Sequence, residues 1–228
     1  MKKLLAVLCF ALILGAGYFI VKAREIDIKP VAIYQALNLS KKVPLENAYD
    51  SQLKILFVGD IMTDRSIRKV IQSKQDVPTF VDTFLSGMAQ SNQSYDYVVA
   101  NLEGPITLNK SKTLRADGSY SKELTFTLPV ETLEILKALN IKVVSLANNH
   151  TDNFGREGFE STKKFLGEAG VEYFGNPYNS SDEGDSLSHT VCQKDICIAY
   201  IGYHQFTKDN QADIVTAEIK KTKARYKN

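Results

Sequence analysis

The sequence predicts an α/β domain, a mixed sheet flanked by helices, and three observations carry that expectation. Nearly unbroken apolar runs of strand length at 53–58, 95–100 and 141–146 read as strands buried on both faces. Stretches with helical periodicity separate them. Each run ends in a polar cluster, the pattern of a sheet whose strands deliver their carboxyl ends to one edge, where open α/β folds bind ligands.

In chain order, the first element is an apolar segment. Met1-Lys2-Lys3 precedes an uncharged run from Leu4 to Val21, closed by Lys22 and Arg24. That is the minimum length for a membrane-spanning helix. Residues 1–24 are therefore expected to be a transmembrane signal anchor. A cleaved signal peptide is the competing reading, with Gly15-Ala16-Gly17 and Val21-Lys22-Ala23 as imperfect cleavage sites. Either one places the rest outside the cytoplasmic membrane. Residues 25–52, polar and carrying Pro30 and Pro44, read as a juxtamembrane spacer, and 53–228 as the domain.

Within the domain, the strand at 53–58 leads into Gly59-Asp60, and helices are expected near 66–72 and 79–90. The second strand ends in Asn101-Leu102-Glu103. A short strand at 124–127 and a helix opened by Pro129 and running to 139 precede the third strand, which runs into Asn148-Asn149-His150. A helix over 155–168 is stopped by Gly170, and a short strand follows at 171–174. Residues 188–192 and 196–202 flank Gln193-Lys194-Asp195 and read as a hairpin. A two-residue turn at Lys194-Asp195 sets Cys192 opposite Cys197, so a disulfide and a pair of buried reduced thiols are both open. Residues 217–227 form a basic helix-like stretch, read as a solvated face.

Composition narrows the function. With 24% charged and 44% hydrophobic residues the 228-residue chain is neither disordered nor a multi-span membrane protein, and a net charge of +2 with interspersed signs argues against nucleic acid as a partner. The three cysteines lack zinc-ribbon spacing. The strand-end residues Asp60, Asn101, Glu103, Asn149 and His150 offer oxygen donors and one imidazole, suited to Mg²⁺, Mn²⁺, Fe²⁺ or Zn²⁺. Each taken singly is also an ordinary capping or turn residue.

Three ordered motifs carry a resemblance: Val58-Gly59-Asp60-Ile61-Met62 with Arg65, Val99-Ala100-Asn101-Leu102-Glu103-Gly104-Pro105, and Val144-Ser145-Leu146-Ala147-Asn148-Asn149-His150 with Phe154-Gly155. Together they resemble the CapA-type capsule and poly-gamma-glutamate biosynthesis proteins. The resemblance implies a metallophosphoesterase-like fold, a partial α/β/β/α sandwich, tethered outside the membrane and working with an anionic extracellular polymer and polymer-synthase membrane subunits. It implies Asp60, Glu103, Asn149 and His150 as metal ligands, Asn149 and His150 also as catalytic groups, and Arg65 and Asn101 as substrate-binding residues. A non-catalytic polymer-binding subunit and a two-metal phosphoesterase are the alternatives. Two departures stand out. Asn153 occupies the place of an aspartate usual in the family, and the family's later histidine motifs lie beyond this chain, which is expected to be a C-terminally truncated member. His204, near another strand end, reads either as a further ligand or as a loop histidine.

Overall fold

The computed structural model describes residues 52–73, 76–180, 185–206 and 212–225. The expected anchor and nearly all of the spacer lie outside these residues; among the described ones no helix is long and apolar enough to cross a membrane. The elements run β1 (Ile55–Ile61), α1 (Arg65–Ser73), α2 (Val77–Phe80), a π-helical segment (Val81–Leu85), α3 (Ser86–Asn92), β2 (Tyr97–Leu102), α4 (Thr132–Ala138), β3 (Ile141–Ser145), α5 (Gly155–Ala169), β4 (Glu172–Phe174), β5 (Ser188–Gln193), β6 (Ile196–Ile201) and α6 (Ala212–Arg225).

Strands β1 to β4 pair side by side in chain order, every pair parallel. The expected mixed sheet is thus corrected: the central sheet is wholly parallel, and the antiparallel pair β5–β6 forms a separate ribbon. Helical crossovers explain this. Each strand returns to the same direction after a helix, and a monotonic order with right-handed crossovers sets α1 to α5 on one face. Alternation along β2 shows both faces covered. Val98, Ala100 and Leu102 join the core beneath the helices with Val144, Leu146, Phe159 and Leu166, whereas Tyr97 and Val99 join Val143, Val191 and Tyr200 beneath the ribbon. The buried hydroxyls of Tyr97 and Tyr200 meet at 2.7 Å, and burial together with that bond pushes the Tyr200 phenol well above its usual range.

The ends of α5 follow the sequence. Gly170 caps it in the left-handed conformation (φ 69°). The hairpin turns on Lys194 and Asp195, both at positive φ, and Cys192 faces Cys197 in a formed disulfide. Both cysteines are exposed, so the reading as buried thiols is overturned. The expected strand at 124–127 does not form. Its residues carry no regular secondary structure, and only Leu128, just beyond it, makes an isolated bridge, to Ile106. The expected helix from Pro129 begins at Thr132 after a turn. The helix α6 engages the ribbon through Glu218, which is buried and accepts from Ser188 Oγ.

Candidate functional site

The site forms at the carboxyl edge of the parallel sheet. β1 and β2 pair Phe57 with Val99 but Asp60 with Asn101, so one extra residue bulges from β1 just before the site. That bulge turns Asp60 to the same side as Asn101. Without it, the carboxylate would point to the helix face.

Asn101 is the hub. Its Nδ2 donates to Asp60 Oδ1 at 2.8 Å and to Glu103 Oε2 at 2.6 Å, and its Oδ1 accepts from Asn148 Nδ2 at 3.0 Å. The expected substrate-binding residue thus sits between two carboxylates that would otherwise repel each other. Asn148 in turn fixes Asn101. Its amide also donates to Leu102 O, and its Oδ1 accepts from the His150 and Thr151 backbone amides and from Thr151 Oγ1. Asn148 is buried, whereas Asn149, expected as a ligand and catalytic group, is exposed and makes no hydrogen bond or ion pair among the described residues. The sequence reading passed over Asn148 because two adjacent asparagines at a strand end look alike. The signal available was the Asx turn that such a residue builds over the amides two and three positions on.

His150 lies beside Glu103, Nε2 to Oε1 3.8 Å, with both side chains largely buried. Its other nitrogen meets Asn153 Nδ2 at 3.2 Å, and the same Nδ2 faces Leu124 O (3.2 Å) and Phe126 O (3.4 Å). Two carbonyls fix which end of the Asn153 amide is nitrogen, so Nδ1 of His150 is the acceptor and the ring proton sits on Nε2. In that tautomer Nε2 offers a hydrogen rather than a lone pair, which weighs against the expected metal ligation by His150. The imidazole also packs on Phe126, ring centres 4.4 Å apart.

Arg65 approaches from α1. Its guanidinium lies 5.4 Å from the centre of the Phe126 ring, and Nη2 reaches Glu123 O at 3.5 Å. It carries two costs: a left-handed backbone (φ 52°) and a buried Nε without a partner. The neighbouring Asp64 holds it there. Fully buried, Asp64 accepts from Arg68 Nε (2.9 Å), Ser111 Oγ (3.1 Å), Thr113 Oγ1 (2.9 Å) and the Thr127 amide (3.2 Å), clasping both ends of the 111–127 loop. Burial alone would push its carboxyl up, but the bonds from Ser111, Arg68 and the Thr127 and Arg65 amides outweigh it and hold the group below the usual carboxylate value.

His204 is a loop histidine, its Nε2 beside Pro177 O and its ring stacked on Phe206. His189 pairs with Glu172 at the ribbon. Among the described residues no three His, Cys, Asp or Glu side chains gather closely enough to hold a metal ion.

The family model described as bacterial capsule synthesis protein PGA_cap matches residues 54–228. The chain is 29% identical over 154 residues to the PGA biosynthesis protein CapA of Bacillus subtilis (strain 168), covering 68% of this chain and 38% of that protein. It is 28% identical over 160 residues to the capsule biosynthesis protein CapA of Bacillus anthracis, covering 70% of this chain and 36% of that protein. The chain thus spans less than two fifths of either relative. With the strand-end motifs, the parallel sheet and a family match over most of its length, this chain belongs to the bacterial capsule synthesis family of CapA type.

Proposed function

We propose that this protein acts outside the cytoplasmic membrane, held there by residues 1–24, in the synthesis, export or anchoring of an anionic capsular polymer such as poly-gamma-glutamate, through a metallophosphoesterase-like site. One observation carries the reading: Asn101 draws together Asp60 and Glu103 from the ends of two strands. Paired carboxylates at the ligand edge of a parallel sheet are held at a cost unless they manage a cation or a proton.

The donor set fits one hard divalent ion. Asp60 Oδ2 and Glu103 Oε1 are the oxygens that Asn101 leaves open, and Mg²⁺ or Mn²⁺ is commonly held by one or two carboxylates with water and substrate oxygens. Zn²⁺ and Fe²⁺ sites use more nitrogen or sulfur ligands than are gathered here among the described residues. When bound, the ion supplies Lewis-acid polarisation of a substrate oxygen. His150 donates a hydrogen bond from Nε2 to an oxyanion without giving up its proton, since Asn153 occupies Nδ1. Arg65 holds a neighbouring anionic group, and Asn148 keeps Asn101 aimed.

Mn²⁺ titration of the full chain in detergent, followed by electron paramagnetic resonance, tests this. Uptake of one ion is expected, lost in both Asp60→Asn and Glu103→Gln. Unchanged uptake in either variant rejects the site. The second reading, a non-catalytic polymer-binding subunit, draws on the lack of a three-ligand cluster among the described residues. It predicts polymer binding with neither Mn²⁺ uptake nor Mn²⁺-dependent hydrolysis of p-nitrophenyl phosphate.

A further inference from the structure

Beside the carboxylate site, the 111–127 loop shapes an open groove of about 550 Å³ lined by Lys112, Arg115, Ser121, Lys122 and Glu123. Three cations face one carboxylate. Surface lysines and arginines ordinarily scatter or pair, and here, among the described residues, none of the three forms an ion pair. Lys112 Nζ lies 4.9 Å from the centre of the Phe154 ring, and Arg115 Nη1 donates to Tyr120 O (3.0 Å) and Ser119 Oγ (3.4 Å). Asp117, whose carboxyl is lowered chiefly by its bonds from Ser119 and only weakly by the charge of Arg115, is no close partner.

The groove is also rigid. Asp64 clasps the base of the loop, Ser66 Oγ meets Tyr120 OH at 2.9 Å, and Lys69 Nζ bonds Gly118 O. A positive surface on a pre-formed loop binds anions with little ordering cost. Its position gives it a direction. Arg65 reaches Glu123 O in the groove wall and lies over Phe126, and Phe126 packs on His150, so a line of side-chain contacts links the groove wall to the strand-end site.

We propose that this groove is a binding track for a polycarboxylate chain, which Lys112, Arg115 and Lys122 hold by successive carboxylates and lead past Arg65 to Asp60, Glu103 and His150. The proposal rests on the polymer reading above. Open shape favours a flexible chain over a compact ligand, and dispersed cations without a cluster of amide donors suit spaced single charges better than a phosphate group.

The test uses the full chain in detergent and fluorescein-labelled poly-gamma-glutamate, read by anisotropy at several salt concentrations. The triple variant Lys112→Gln/Arg115→Gln/Lys122→Gln is expected to bind about tenfold more weakly at low salt, with a shallower salt dependence. Lys112→Gln/Lys122→Gln, which keeps the loop bonds of Arg115, falls between that variant and the native chain. Affinities within about twofold of native in both variants overturn the track. Tighter binding of polyphosphate of matched charge overturns the carboxylate assignment. Mn²⁺ uptake, measured on the same samples, separates the two ideas. A chain that takes up Mn²⁺ but binds polymer regardless of the groove loses only the track, and one whose groove binds polymer without Mn²⁺ uptake keeps the track and loses the metal site.

Discussion

Replacing Asp64 with alanine removes one carboxylate and strands its donors. Arg68 is only 11% exposed and would keep its charge with no carboxylate partner, while Ser111 Oγ, Thr113 Oγ1 and the Thr127 amide lose an acceptor in a closed setting. Breaking a buried pair from one side costs about 3–5 kcal/mol, and three neutral hydrogen bonds at about 1 kcal/mol each reach a similar figure by a separate route. The two estimates overlap rather than add, so the expected loss is about 4 kcal/mol, or roughly 8–16 °C in Tm for a domain of this size. Urea unfolding of the full chain in mild detergent, followed by circular dichroism, measures it. Because the folded carboxyl sits below its unfolded value, its stabilisation is fully present above about pH 5 and lost as pH falls past the unfolded value near 3.9 and through the lower native one. The native chain and Asp64→Ala should therefore converge in acid. A difference under about 1 kcal/mol at pH 7, or one that stays constant down to pH 3, would refute the reasoning.

Other outcomes follow from the same geometry. Asn148→Ala should cost about 2–3 kcal/mol and weaken Mn²⁺ uptake by releasing Asn101, while Asn149→Ala changes neither; equal effects in the two variants, seen by urea melts and titration, would contradict the assigned roles. Long-range ¹⁵N correlation spectra should show His150 protonated on Nε2 in the native chain and on Nδ1 in Asn153→Asp, and a native Nδ1–H signature removes the argument for a hydrogen-bond donor. Thiol titration under denaturing conditions should find one free cysteine of the three, and three after reduction. Reduction should lower stability by about 2 kcal/mol or less, since the bridge closes a very short loop.

The architecture was legible where hydrophobic patterning is strong. Val98, Val99, Val143 and Val144 are apolar on successive positions because both faces of a parallel sheet are covered, and Gly170 ends α5 as its missing Cβ allows. The hairpin register followed from Lys194-Asp195 alone. Site residues that sit on strand ends, Asp60, Asn101, Glu103 and His150, were legible for the same reason, since strands deliver them to one edge. What escaped was long-range. Asp64 draws its loop partners from 47 to 63 positions away, and the choice of Asn148 over Asn149 depends on which side chain faces Asn101. The 124–127 segment forms no strand although its residues are of β type, because its backbone groups bond to the Asp64 and Asn153 side chains rather than to a neighbouring strand.

The side-by-side order of the parallel strands also governs how the chain reaches this state. Ile55 must find Tyr97, Val98 must find Ile141, and Val143 must find Glu172, so the three steps close loops of 42, 43 and 29 residues before any pairing is rewarded. Among the described strand pairs only the β5–β6 ribbon is local, and it needs Tyr97, Val99 and Val143 already in place to have a surface to cover. Folding is thus late and collective. Because Asp60 and Glu103 meet through Asn101 across the first of those long closures, a chain that has not yet paired β1 with β2 does not display the carboxylate pair, and the metal capture proposed above would wait on that pairing.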